Sequence, residues 1–381
     1  MNSPERILVI AEGQLGDLLI LSPALRALRE SFSNASLTVL VLQRRSYEEP
    51  VSPGRPVLLE NPERGTSAVP GSDPNVTRVA EIDREALRAL RWFRRLGAEF
   101  SVLRWLWKGK FDTVICTFPQ DRFYLWAYLS GARMRVGEEG KMFSALLSHR
   151  LRQARSAGGV LAYYCALAEA AGAVVRSRRT TVAVSRDHTE RATARWGALG
   201  LSEEKGVVAV HPGASGNYRV WPPENFAALI DHLQQRRIPV LLTGSVFDRG
   251  VLEEVRKRCA TSPHLVFTTG VMDLAALLKK CALCISNNSG PRHLAVAAGV
   301  PSLALIPRFD DILWKVYTDE KMAGTMQSSE RCPACPPGAC LNALPPGETY
   351  GSWCMRALTV EEVTARVDSL LALNGPAGGP A

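Results

Sequence analysis

Asp17 closes the run Glu12-Gly13-Gln14-Leu15-Gly16-Asp17, which directly follows the apolar stretch Ile7-Leu8-Val9-Ile10. An aspartate is ionised at neutral pH and can accept a proton. One held where a strand turns into a helix is therefore a candidate general base. The same position also suits a carboxylate that caps a helix or complements its dipole. Gly16 beside it lets a ligand approach the backbone. Gly13 and Gly16 are spaced G-x-x-G, so the G-x-G-x-x-G dinucleotide fingerprint is absent, as is the G-x-x-x-x-G-K-[ST] phosphate loop.

A second strand-turn-helix sequence lies in the other half of the chain. Ser286-Asn287-Asn288-Ser289-Gly290-Pro291-Arg292-His293 follows Leu283-Cys284-Ile285. Backbone N–H groups and hydroxyls at a helix N-terminus form an anion site, which makes Asn288, Ser289, Gly290 and Pro291 candidates to bind a phosphate. His293 is either a ligand contact or a satisfied core histidine. His211-Pro212-Gly213-Ala214-Ser215-Gly216 ends another strand and leads to Arg219-Val220-Trp221-Pro222-Pro223. Ser215 and the guanidinium fork of Arg219 suit phosphate oxygens; the alternative is a small polar turn with a solvated arginine. Asp248, after Thr243-Gly244-Ser245, could accept from ribose hydroxyls or cap a helix.

Two further groups of residues invite chemistry. Cys332, Cys335, Cys340 and the more distant Cys354 sit in a proline-rich segment. They read as a structural zinc site, as free thiols in a reducing compartment, or as a disulfide or other metal site. Cys281 and Cys284 bridge a helix end and a strand and read as core packing. Residues 84–110 hold eight basic and two acidic side chains, a net of +6. Arg84, Arg88, Arg91 and Arg95 share one helical face, with Phe93, Leu96, Phe100, Leu103 and Trp107 roughly opposite. That is either a surface helix packed on a sheet with its basic face in water, or a surface that attracts anionic lipid or an anionic acceptor.

The elements that position these groups alternate strand and helix. Strands are expected at 6–11, 36–42, 111–117, 207–211, 238–243, 265–268, 282–286 and 301–306. Helices are expected at 15–32, 158–171, 222–235, 247–259 and 273–280, with another starting near Gly290. This order implies an α/β fold with parallel sheets covered on both faces. The 381 residues suggest two domains, 1–180 and 181–360, hinged near Arg178-Arg179-Thr180, then 361–381 as a terminal helix and a disordered tail. The 44–76 segment carries six prolines and reads as an insertion, mobile near a cleft or passively disordered.

A formal charge of +9 favours anionic partners. It is too moderate, and the cysteines too far from any basic recognition helix, to point to nucleic acid. No run of about 18 apolar residues spans a bilayer, and the start has no signal-peptide pattern, so the expected place is the cytoplasm.

The chain resembles glycosyltransferase family 9, the ADP-heptose:lipopolysaccharide heptosyltransferases. The resemblance rests on ILVIAEGQLGDLLILSPALRALRESF, VVAVHPGASGNYRVWPPENFAALI, VLLTGS, CISNNSGPRHLAVAAGVPSLAL and CPACPPGAC, with Cys354-Met355 ahead of Leu358-Thr359-Val360-Glu361-Glu362. It covers most of the chain outside 44–76 and the tail. It implies a GT-B fold, two Rossmann-like domains facing a central cleft. It also implies inverting transfer of a heptose from ADP-heptose to a lipopolysaccharide inner-core or similar cell-envelope acceptor at the inner face of the cytoplasmic membrane. Asp17 matches the family's proposed base. Ser215, Arg219, Ser289, Gly290 and His293 match its donor diphosphate contacts, and no cofactor is implied for catalysis. Lysine often stands in the family where this chain has Arg219, and aspartate-threonine where it has Asn288-Ser289. A nucleotide-sugar epimerase or hydrolase on the same fold, or a non-catalytic sugar-nucleotide-binding protein, are the alternatives.

Overall fold

The computed structural model describes residues 3–43, 57–62, 65–152, 154–201, 206–268, 270–308, 317, 319, 321–328 and 344–374. Cys332, Cys335 and Cys340, residues 44–56 and 63–64 of the expected insertion, and the tail from residue 375 lie outside them. The chain divides into two compact units, Met1–Ala183 and Val184–Ala381.

The first unit is built on seven strands: β1 (Arg6–Glu12), β2 (Ser36–Gln43), β3 (Leu58–Glu60), β4 (Arg78–Asp83), β5 (Thr113–Cys116), β6 (Met134–Glu138) and β7 (His149–Leu151). Their order is β3-β4-β2-β1-β5-β6-β7. All neighbours are parallel except the edge pair β3–β4. β1 is central because its residues from Ile7 onward are buried, as a strand covered on both faces must be. The chain reverses its direction of winding at β1, so the loop after β1 sits at the switch point where such sheets collect ligands.

The second unit carries β8 (Val208–His211), β9 (Val240–Gly244), β10 (His264–Phe267), β11 (Leu283–Asn287), β12 (Ser302–Leu305) and β13 (Ala323–Met326). The order is β10-β9-β8-β11-β12-β13, parallel throughout. Its switch point lies between β8 and β11, where the His211 and Asn287 loops leave the sheet. Trp221 is fully buried in this unit's core, edge-on to Phe226 at 5.1 Å, and its indole N–H donates to Leu358 O at 2.8 Å. The terminal helix Val360–Asn374 adds Val363, Val367 and Leu370 to the same core.

Several expectations change. The helix foreseen at 15–32 is two helices, Leu15–Ile20 and Ser22–Ser31. Pro23 in the first turn of the second has no N–H to continue the first, so the chain restarts there. The 44–76 segment is not structureless where it is described. It contributes β3 and the short helix Ala68–Ser72, and Thr66 and Ser67 are fully buried. The expected boundary region is fastened to the first unit, since Arg26 donates to the carbonyls of Ser177 and Arg179, and Ser22 Oγ accepts from Thr181 N.

The basic 84–110 stretch differs most. It breaks at Leu90–Arg91 into helices Arg84–Ala89 and Trp92–Gly109, so its arginines do not share one continuous face. The second helix packs inward through Val102 and Leu106, both 0% exposed. Leu96, Phe100 and Trp107 point to solvent instead, at 62%, 61% and 56%.

Candidate active site

The first loop is drawn tight against the sheet. Gly13 N donates to Leu42 O at 2.7 Å, and a Cβ on Gly13 would lie 2.8 Å from both Leu42 O and Gln43 Cα. Only glycine fits that approach. Thr66 Oγ1 donates to Gly13 O at 2.8 Å and also contacts Gln43 Oε1 at 2.7 Å, so the remainder of the insertion braces this loop.

Asp17 lies in the first turn of Leu15–Ile20, buried to 5% exposure. It is not the N-cap; Gln14 holds that place. Its Oδ1 accepts from the hydroxyl of Tyr164 at 3.0 Å. Tyr164 comes from the helix Ala154–Ala170, which is broken at Gly159 (φ 73°). A phenol donor fixes the carboxylate's orientation. A second buried carboxylate, Glu12, ends β1 beside this loop. Gln120 donates to it, and Arg84 lies 3.7 Å away. Nothing local in the sequence singles out Tyr164, Glu12 or Thr66, because their partners are brought from 23 to 147 positions away.

The second unit gathers its candidates around Asn287. This side chain is fully buried. Its carbonyl oxygen accepts from Trp221 N at 2.9 Å, and its amide donates to Pro212 O at 2.6 Å. One residue thereby ties the β8 loop, the Arg219 segment and the β11 loop together. Arg219 is half-buried and stacks on Tyr218, with its guanidinium carbon 5.5 Å from the ring centre and Nε donating to the hydroxyl at 3.0 Å. The segment before the terminal helix supports it: Gly351 N and Ser352 N donate to Asn217 O and Tyr218 O. Cys354 follows, buried, its sulfur 3.3 Å from Ser352 Oγ. Ser215 is exposed in the same loop.

The helix Gly290–Ala297 starts at Ser289, whose side chain does not cap it; Ser289 Oγ turns back to Asn287 O at 3.3 Å. Pro291 occupies the first turn, where its missing N–H costs nothing. His293 is buried to 3% exposure, with Nδ1 3.1 Å from the Tyr317 hydroxyl. Burial first, and then the neighbouring Arg292 charge, hold it well below the usual imidazole range. It is a neutral hydrogen-bonding ring. The positive charge here belongs to Arg292, which the sequence reading did not single out. Arg292 is 1% exposed, lies 5.7 Å from the Tyr317 ring centre, and donates to Asn288 Oδ1 at 3.1 Å. Asn288 thus gives Arg292 an acceptor without cancelling its charge.

Asp248 sits in a capping box. Its Oδ2 accepts from Ser245 N at 2.8 Å and from Ser245 Oγ at 2.7 Å. It also packs on Gly213, where a Cβ would come within 2.1 Å of Oδ1, and lies 3.9 Å from His211 Nε2. Cys281 and Cys284 are buried in the core, with both thiols pushed up by burial, Cys284 to about 12. No cluster of metal-ligating side chains occurs among the described residues.

The model of glycosyltransferase family 9 (heptosyltransferase) matches residues 100–336. The lipopolysaccharide heptosyltransferase 3 of Escherichia coli (strain K12) is 24% identical over 311 residues, covering 80% of this chain and 83% of that one. Among solved structures, a family 9 glycosyl transferase from Veillonella parvula DSM 2008 aligns with a TM-score of 0.74 at 19% identity, covering 97% of each chain. E. coli heptosyltransferase WaaC with ADP gives a TM-score of 0.68 at 15% identity, covering 96% of this chain and 99% of that one. The two Rossmann-like units are those of the GT-B fold.

Proposed function

The chain belongs to glycosyltransferase family 9, the heptosyltransferase family, and we propose that it moves a heptose from ADP-heptose to a lipopolysaccharide inner-core sugar or a similar cell-envelope glycan, with inversion at the anomeric carbon. The observation that carries the reading is Asp17, a buried carboxylate at the sheet's switch point, held by a phenol donor. Relatives named as lipopolysaccharide heptosyltransferases, and a structural neighbour that holds ADP, support the choice of donor and acceptor class.

In the proposed step an acceptor hydroxyl attacks the anomeric carbon on the face opposite the nucleotide. Asp17 takes the hydroxyl proton as the new bond forms, and the bond to the ADP oxygen breaks. The second unit binds the leaving diphosphate. Backbone N–H groups at Ser289 and Gly290 face an anion with the positive end of their helix. Arg219 and Ser215 add donors from the neighbouring loop, and neutral His293 adds a hydrogen bond without a charge. Arg292 contributes buried positive charge behind them, in surroundings where charge is weakly screened. Asp248 positions the Gly213 turn through its capping box, and Asn288 acts through Arg292. The step as written uses protein groups alone, at the inner face of the cytoplasmic membrane.

The test is a screen of ADP-, UDP- and GDP-sugars for nucleotide release, with and without a heptose-bearing core acceptor. The expected result is release from ADP-heptose only when acceptor is present, with an inverted product. Turnover of donor alone identifies a hydrolase or epimerase. Binding without turnover identifies a sugar-nucleotide-binding protein.

A further inference from the structure

The helix Trp92–Gly109 turns apolar side chains the wrong way for a soluble surface. Trp92, Leu96, Phe100 and Trp107 are 75%, 62%, 61% and 56% exposed. At 100° per residue these four, with half-buried Leu103, fall within an 80° arc of the helix. Their exposed area is roughly 500 Å², the size at which a patch on a monomer marks an interaction site. The buried side of the helix is separate and already satisfied. Val102 and Leu106 enter the core, and Trp105 Nε1 donates to Glu60 Oε1 at 2.6 Å. The stripe is therefore left facing outward, with Trp107 also donating its indole N–H to Leu129 O.

Basic residues border the stripe. Arg104 and Lys108 follow it on one side and Arg95 on the other, all exposed. Glu99, the helix's one acid, is engaged by Arg122 at 3.2 Å. Beyond the helix end, Lys110 and Arg133 line an open depression together with Trp107. Interfacial tryptophans, an apolar stripe and a basic rim are the features of a helix that lies in the headgroup layer of an anionic bilayer. Among the described residues no helix is long and apolar enough to cross a membrane. We propose that the Trp92–Gly109 helix docks this protein onto an anionic lipid surface, with Trp92, Leu96, Phe100 and Trp107 facing the acyl boundary and Arg95, Arg104 and Lys108 meeting lipid phosphates. This deepens the reading that the acceptor is a glycolipid, but it does not depend on the sugar chemistry.

The test is co-sedimentation of the full chain with phosphatidylcholine vesicles, with and without one-quarter phosphatidylglycerol, and no sugar donor present. The wild type should bind the anionic vesicles at least tenfold more tightly than the neutral ones, and should be released by 0.5 M salt. Leu96→Ser with Phe100→Ser should weaken binding at least tenfold. Arg95→Glu with Arg104→Glu should abolish the preference for anionic lipid. All four sites are exposed, so thermal midpoints should stay near wild type, and ADP release with a delipidated, water-soluble acceptor should be unchanged. Equal binding by wild type and variants overturns the proposal. So does a concentration-dependent dimer, seen by sedimentation equilibrium, that Leu96→Ser/Phe100→Ser dissociates, because the stripe is then an interface between copies. If vesicles bind as expected but no nucleotide sugar turns over, the docking surface stands and the transfer reading falls.

Discussion

Asn287→Ala removes one side chain and strands two backbone groups. Trp221 N loses the acceptor it holds at 2.9 Å, and Pro212 O loses the donor at 2.6 Å. Asn287 is fully buried, and Trp221 and Pro212 are buried too, so water cannot replace the bonds without opening the loop. An unsatisfied buried polar group costs about 1–3 kcal/mol, so the pair costs roughly 2–6 kcal/mol. For a unit of this size each kcal/mol lowers Tm by about 2–4 °C, which sets a loss of at least about 4 °C. Asn287→Asp should do no better. It keeps an acceptor for Trp221 N but turns a carboxylate oxygen toward the Pro212 carbonyl. The assay is calorimetric unfolding together with amide exchange at Trp221, followed by ADP titration. Exchange at Trp221 should quicken, and ADP should bind more weakly because the Arg219 segment is released. A Tm within 1 °C of wild type with unchanged Trp221 exchange would refute the claim that Asn287 holds the donor loops together.

Two other substitutions test separate links. Tyr164→Phe removes a hydrogen bond to a carboxylate, worth roughly 1.5–3 kcal/mol; kcat should fall about ten- to a hundredfold while the donor KM stays within about twofold, and an unchanged kcat takes Tyr164 out of the positioning role. His293 is held neutral in the fold, so the unfolded chain gains a proton near pH 6.5 that the folded chain refuses. Stability present above that pH is therefore lost as pH falls through and below it, by at most about 1.4 kcal/mol per unit. His293→Gln should flatten the slope of urea-unfolding free energy between pH 6.5 and 5, and an identical slope would assign the acid loss to other groups.

The sequence reads well where one physical signal dominates. β1, β8 and β11 are unbroken apolar runs, and parallel strands buried on both faces must be so. The glycine turns after them mark the switch points without any knowledge of the partners. β4 carries no such signal, because Glu81 and Asp83 interrupt its pattern. In the fold both are buried and satisfied, Glu81 by Ser67 Oγ and Asp83 by Ala86 N. The basic 84–110 stretch leaves two readings open, a helix packed on the sheet or a surface that attracts anionic lipid, since periodicity gives the width of an apolar stripe and not its direction. Here Val102 and Leu106 supply the buried contacts, and the larger stripe is left outside. Asp17 was legible as a type in a position. Its Tyr164 partner was not, because nothing local links residues 147 apart. Arg292 reads as an ordinary helix arginine in the sequence; only its burial and its bond to Asn288 mark it out for the proposed anion site.

The central claim is that Asp17 is the base that makes transfer fast. Its most direct test is the acceptor-dependent rate of ADP release by Asp17→Asn, measured beside ADP affinity in the same preparation. Asparagine has nearly the same shape but cannot take the proton, and general base catalysis contributes about 10²–10⁴-fold. The account predicts ADP affinity within about threefold of wild type and a rate at least a hundredfold lower. Acceptor-dependent release near the wild-type rate would contradict it.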